Sequence, residues 1–248
     1  MHHFFVPPES IVHASLALKG EQAHQILRVL RLRPGERVLL LDNDGWAYEG
    51  TLVGDSGGAA RVEILERRQA PGEPHTYITL CQAVLKGDRY GWALQKGTEV
   101  GVSRFVPLIC QRSVVADMGA IEQRRERWAR IIQEAAEQSG RARLPELAQA
   151  QLFAAAVSAK APSSDELRLI PWEEARTVRL SDALARCNFA AGARIQVYIG
   201  PEGGFTADEV DLARRHGIVP VTLGPRILRA ETAGLVAAAA ILCAAGEI

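Results

Sequence analysis

The apolar positions of this chain follow two regimes, and the change falls in a charged, then Pro/Gly-rich stretch at Glu66–Pro74. Before it, Gly20–Leu30 places Ala23, Ile26, Leu27 and Leu30 at i, i+3, i+4 and i+7, which predicts an amphipathic helix. Pro34-Gly35 then breaks the chain. Arg37–Leu41, the turn Asp42-Asn43-Asp44-Gly45 and Trp46–Val53 predict a hairpin, and Gly57-Gly58 marks a turn before a strand at Ala60–Leu65. Short strands joined by tight turns predict a small barrel over residues 1–68, with residues 69–74 as linker.

From residue 75 to 248 strands and helices alternate. Strands are predicted at Tyr77–Ala83, Phe105–Ile109, Leu167–Ile170, Ile195–Ile199 and Val219–Leu223. A helix is predicted at Asp88–Val100, capped by Asp88 and ended by Gly101. Another spans Ile121–Ser139, where Trp128, Ile131, Ile132 and Ala135 share one face. Such alternation predicts an α/β domain with a parallel sheet and helices on both faces. Ala148–Asp165 is rich in alanine and serine and predicts a short helix or a loose loop.

The last two predicted strands end in glycine–proline loops that open into helices, which is where open α/β sheets bind ligands. The first loop is Gly200-Pro201-Glu202-Gly203-Gly204-Phe205, and Thr206 with Glu209 has capping-box spacing for the helix behind it. Glycines there admit a ligand close to the backbone. A phosphate cradle is one reading, but no lysine follows the glycines, GxGxxG spacing is absent, and Glu202 would repel a phosphate. A neutral or cationic ligand gripped by backbone groups fits better; a plain tight turn is the bland alternative. The second loop runs Gly224-Pro225-Arg226-Ile227-Leu228-Arg229, followed by Ala230, Glu231 and an apolar helix from Thr232 to Ala245. A helix apolar all round is buried in a core or an interface. Charges at its N-terminal edge are therefore either paired or at work in a cleft.

Composition narrows the partners. Among 248 residues, Lys+Arg and Asp+Glu both number 29, so no global field draws the chain to polyanions and any such site is a local patch. The 4 cysteines form no CxxC pair, which favours free thiols and argues against zinc; no metal is expected. The N-terminal residues show no cationic leader, and Ala233–Ala245 is too short to span a bilayer, so a cytoplasmic protein without membrane attachment is expected.

The blocks IGPEGGF (Ile199–Phe205) and LGPRILRAETA (Leu223–Ala233) resemble the two signatures of the RsmE family. Its members are 16S rRNA (uridine-N3)-methyltransferases of the SPOUT class. Gln82–Val102, Arg127-Trp128, Glu134–Pro145 and His24–Leu32 resemble further segments of that family, so the likeness spans most of the chain. His3 stands where the family often has arginine, and Gly97 where alanine is usual. The resemblance implies a trefoil-knotted α/β domain at 75–248, preceded by a PUA-like β-barrel at 1–68 that helps hold RNA. It implies S-adenosyl-L-methionine as methyl donor, a homodimer, and 16S rRNA, alone or within the small subunit, as substrate. The donor is expected inside the knot, against the two loops and the loop after Leu167–Ile170, with Ile170, Ile199, Gly200, Glu202, Gly203, Leu223, Gly224, Ile227, Leu228 and Thr232 as its contacts, where Glu202 either favours the sulfonium or braces the loop. Arg229 and Glu231 are the candidate catalytic pair: the cation would stabilise a uridinate and the carboxylate would accept the N3 proton. Arg28, Arg31, Arg33, Lys86, Arg89, Arg112, Arg141 and Arg143 are the candidate RNA-phosphate contacts.

Overall fold

The computed structural model describes residues 1–11, 14–70, 72–159 and 166–248. The chain divides into two compact units, Met1–Glu73 with Gln133–Leu144, and Pro74–Ile132 with Pro145–Ile248.

In the first unit the strands are β1 (His2–Phe5), β2 (Ser15–Leu18), β3 (Arg37–Leu41), β4 (Trp46–Ser56) and β5 (Ala59–Gln69). They form one sheet in the order β1-β3-β4-β5-β2, with β1 parallel to β3 and the other pairs antiparallel. Helix α1 (Gly20–His24) continues as a wider π-type turn over Gln25–Val29. Its Ala23 and Ile26 are buried with Phe4, Leu40, Leu52 and Val62, as the 3.6-residue spacing requires. The charged run after Leu65 does not begin a linker. It continues β5 to Gln69, paired with Trp46 of β4, and Arg67 stacks 3.9 Å above the Trp46 ring. Glu73 joins Gln133–Leu144 to this unit: its carboxylate pairs with Arg141 at 2.9 Å and accepts from the backbone N–H of Ala142 and Arg143.

The second unit is built on a parallel sheet. Its strands are β6 (Tyr77–Ala83), β7 (Arg104–Ile109), β8 (Glu146–Leu147), β9 (Gln151–Leu152), β10 (Leu167–Pro171), β11 (Arg194–Ile199) and β12 (Val219–Val221). The order is β12-β10-β11-β6-β7-β8, with β9 also on β7, and every pairing is parallel. Ile78, Leu80, Val197 and Leu169 have no exposure, or about 1% for Leu80, because helices cover both faces. The helices are α2 (Arg89–Val100), α3 (Met118–Glu122), α4 (Arg125–Ser139), whose residues from Gln133 onward belong to the first unit, α5 (Phe153–Ser158), α6 (Leu180–Leu184), α7 (Ala207–Arg215) and α8 (Ala230–Ala245). The Ala/Ser-rich stretch thus holds β9 and α5; residues 160–165 lie outside the described residues.

Two helix expectations need correction. Asp88 precedes α2 but makes no capping bond, because its carboxylate pairs with Arg127 at 2.7 Å. The helix expected over Ile121–Ser139 is two helices. Asp117 caps α3 by accepting from the N–H of Gly119 and Ala120, and a turn at Gln123-Arg124 separates α3 from α4. An Asp cap nucleates its own helical turn upstream of the apolar stripe.

Strand β10 lies between β11 and β12, so the two glycine loops rise on either side of its C-terminal end. Helix α8 closes the unit from one face. It packs against α2 and β6, and Gly234 makes the approach possible: a Cβ there would lie 3.2 Å from the Leu80 side chain.

Candidate functional site

The first loop is held in place from three directions. Within it, Gly204 adopts φ +69° and its N–H donates to the Pro201 carbonyl, a tight turn that favours glycine. Phe205 is buried with Phe153, at 5.1 Å between ring centroids, and so pins the end of the loop to the core. Glu202 accepts from the backbone N–H of Lys86 at 3.0 Å and pairs with Arg89 at 3.4 Å. Of the two roles open to Glu202, bracing is therefore built into the structure. Arg112 donates to the Gly203 carbonyl at 2.7 Å. The expected capping box is formed: Thr206 Oγ1 accepts from the Glu209 N–H and Glu209 accepts from the Thr206 N–H at 2.9 Å.

The second loop is anchored at its start and open beyond. The Gly224 N–H donates to Thr222 Oγ1 at 3.1 Å, and Gly224 takes φ +109°, a left-handed-side geometry costly for other residues. Ile227 is 82% exposed. Arg229 is the N-cap residue of α8, its carbonyl accepting from the N–H groups of Thr232 and Ala233.

Between the loops lies a cavity of about 890 Å³, within the range of small-molecule sites. Ile199, Gly200, Glu202, Leu223, Gly224, Ile227 and Leu228 line it, as do Arg229 and Glu231. Neither Arg229 nor Glu231 makes a side-chain hydrogen bond or ion pair among the described residues, and they do not pair with each other. The charges at the start of the apolar helix thus face a cleft. Three expected donor contacts stand elsewhere. Ile170 is fully buried in the core, and the wall begins one residue later with Pro171 and Trp172; Gly203 presents its carbonyl to Arg112, and Thr232 sits in the first turn of α8 outside the lining. Trp172, Glu173, Glu174, Arg176 and Arg226 complete the wall. The resemblance implied a wall in the loop after Leu167–Ile170, and Arg226 stood among the charges beside the apolar helix; Trp172, Glu173, Glu174 and Arg176 were not singled out one by one.

The candidate RNA contacts separate by environment. Arg28, Arg31 and Arg33 are exposed in the first unit; Lys86, Arg89 and Arg112 are exposed beside the first loop. Arg143 is exposed but occupied with Asp44, donating to its carbonyl at 2.7 Å. Arg141 must be withdrawn: it is 5% exposed and bound to Glu73, so its guanidinium serves the packing of its unit.

The family model of the RNA methyltransferase domain matches residues 72–242, and that of the RNA methyltransferase PUA domain matches residues 18–65. A parallel sheet ending in two glycine loops, preceded in the chain by a small β domain, is thus the architecture of a SPOUT-class RNA methyltransferase. The relatives narrow the class. Ribosomal RNA small subunit methyltransferase E of Synechocystis is 35% identical over 97% of this chain and 77% of its own, and that of Bacillus subtilis is 31% identical over 92% and 89%. The crystal structure of a ribosomal RNA small subunit methyltransferase E from Neisseria gonorrhoeae, bound to S-adenosyl methionine, superposes with a TM-score of 0.86 at 33% identity, covering 98% of this chain and 97% of that one. The chain belongs to the ribosomal RNA small subunit methyltransferase E family.

Proposed function

We propose that the chain methylates N3 of a uridine in 16S ribosomal RNA with S-adenosyl-L-methionine as donor. The observation that carries the reading is the cavity itself, with glycine backbone on two sides and an unpaired Arg229 and Glu231 at its edge. The cavity fits the donor's chemistry. Apart from Arg229 and Glu231, its wall carries Arg89, Arg176 and Arg226 against Glu173, Glu174 and Glu202, a balance of signs suited to a nucleoside bearing a sulfonium, an ammonium and a carboxylate. A Cβ on Gly224 would meet nothing within 4 Å, so the backbone there is open to a ligand. Ile199, Leu223 and Leu228 supply the apolar surface an adenine ring needs.

When bound, the donor supplies an electrophilic methyl group for in-line displacement. The residues of the chain have two tasks. The first is orientation, which the braced first loop provides by fixing one wall. The second is the proton. Neutral uridine N3 has no nucleophilic lone pair, so Glu231 accepts the N3 proton and Arg229 stabilises the charge that builds on the neighbouring carbonyl oxygens.

The second unit holds this chemistry, and the first holds RNA through Arg28, Arg31 and Arg33. Helix α8 supports a homodimer. Leu235 is half-buried, Val236 is 38% exposed, and Cys243 is exposed on the same helical face, beside an α2 that exposes Trp92. Ribosomal RNA as substrate makes the cytoplasm the working compartment. Mass mapping of small-subunit rRNA with and without the protein tests the reaction. Loss of an N3-methyluridine in its absence is expected; an unchanged map overturns the assignment.

A further inference from the structure

Glu209 stands outside the donor cavity, yet it is one of few charged side chains buried in this unit, at 5% exposure. A buried carboxylate is costly unless each oxygen is bonded. Here each oxygen has a different partner. Oε2 accepts from the Thr206 N–H at 2.9 Å, at the end of the first glycine loop. Oε1 accepts from the Gln111 N–H at 2.8 Å, in the turn that follows β7. An ordinary capping box needs only the first of these bonds. The second ties the first turn of α7, directly behind the glycine loop, to a turn 98 residues earlier in sequence. The same turn makes further contacts with the glycine loop. Gln111 Oε1 accepts from Thr206 Oγ1 at 3.1 Å, and Arg112 donates to the Gly203 carbonyl at 2.7 Å. A Cβ on Gly203 would lie 3.2 Å from the Arg112 side chain, so the two segments are in close contact as well as bonded.

We propose that Glu209 is a positioning residue for the methyl-donor loop, clamping Gly203–Thr206 to the Gln111-Arg112 turn so that the loop is set before the donor arrives. The inference rests on the donor reading given above. Glu202 braces the opposite flank of the loop through Lys86 and Arg89, so the loop hangs between two clamps. A preset loop binds its ligand without meeting the cost of ordering it on contact. Loss of one clamp therefore weakens donor binding and leaves the chemical step intact once donor is saturating.

The test is Glu209→Gln in the full-length protein. The amide keeps the volume but retains one acceptor oxygen, so it serves Thr206 or Gln111 and not both. Three measurements are made at a temperature where circular dichroism shows each variant folded: amide hydrogen exchange of residues 200–206 and 111–112 without donor, calorimetric affinity for S-adenosyl-L-methionine, and kcat with KM for the donor. Expected are faster exchange confined to those two segments, donor affinity lower by about tenfold, KM raised in step, and kcat within about twofold. Asp211→Ala, which removes an exposed pair with Arg214 on the same helix, should match the unaltered protein. Unchanged exchange and affinity in Glu209→Gln, or a fall in kcat with KM unmoved, overturns the proposal. If Glu209→Gln does not fold, Arg112→Ala loosens the same clamp from the surface, and unaltered affinity there overturns it. A protein that binds no donor at all refutes the donor reading, while the exchange data still decide whether the clamp exists.

Discussion

In the proposed reaction Arg229 and Glu231 carry the chemistry, and their environment separates two ways of reading them. Paired charges would be structural; these two face the cavity without side-chain partners among the described residues. Arg229→Ala should leave donor affinity near that of the unaltered protein and lower kcat by about a hundredfold, the usual cost of removing one stabiliser of a developing oxyanion. Glu231→Gln should lower kcat likewise and recover part of it at alkaline pH, where the uracil ring sheds its own N3 proton. Titrated calorimetry and single-turnover rates read the two effects apart. A different kind of residue sets the pH response of the first unit. Burial raises the carboxyl of Glu137 above its ordinary value of 4.5, against bonds from Gln133 and the Phe5 N–H that lower it. The native state then binds that proton more tightly than the unfolded chain. Stability from this group is greatest at low pH and falls as pH rises through the window just above 4.5. Urea midpoints from pH 4.5 to 7 should show a shallower decline in Glu137→Gln than in the unaltered protein. The glycines and the Thr206–Glu209 box were legible from spacing alone. The burial of Arg141 and of Ile170 was not, because both sit in segments whose neighbours come from distant parts of the chain.

Elements were most legible where the period was strong and least where a side chain had a competing partner. Strand β6 runs Tyr77–Ala83 as its apolar run predicts, since every residue from Ile78 onward is buried on both faces. The start of α3 was missed because Asp117, not the apolar stripe, sets it. The charged strand end at Glu66–Gln69 reads as linker by composition and is a strand through pairing with β4. Helix α2 shows why propensity alone misleads. Gly97 is a poor helix former, and the family resemblance would put alanine there. A Cβ on Gly97, however, would lie 2.8 Å from the Phe105 ring, which is wholly buried and cannot swing away. Glycine is what lets α2 lie against β7 at this spacing. Gly97→Ala should therefore destabilise the protein by about 1–3 kcal/mol, the cost of overpacking a core, rather than gain the usual helix increment. A lowered thermal midpoint checks this; a raised one would show that Phe105 can yield.

At the scale of the whole molecule, the sheet brings together three strand ends that are far apart in sequence, and no local pattern contains that information. Their order places β10 between β11 and β12, so Trp172 and its neighbours become a third wall for two loops that were readable separately. The same closure leaves α8 with one face on β6 and α2 and another bare. Val236 and Cys243 lie seven residues apart on that bare face, two helical turns along. A homodimer through α8 makes two linked predictions. Val236→Asp places a charge in an apolar contact and should shift sedimentation from dimer to monomer at micromolar concentration, while the cavity residues stay untouched. Cys243, exposed in the single chain, should react slowly with a maleimide in the dimer and quickly in Val236→Asp or on dilution. Cys81 gives the internal reference. Its thiol is fully buried and pushed up to about 12 by that burial, so at about pH 8 it stays protonated and unlabelled in either state. If Cys243 reacts at one rate at every concentration and in both proteins, the subunits do not meet through α8, and the bare face must be explained by another partner.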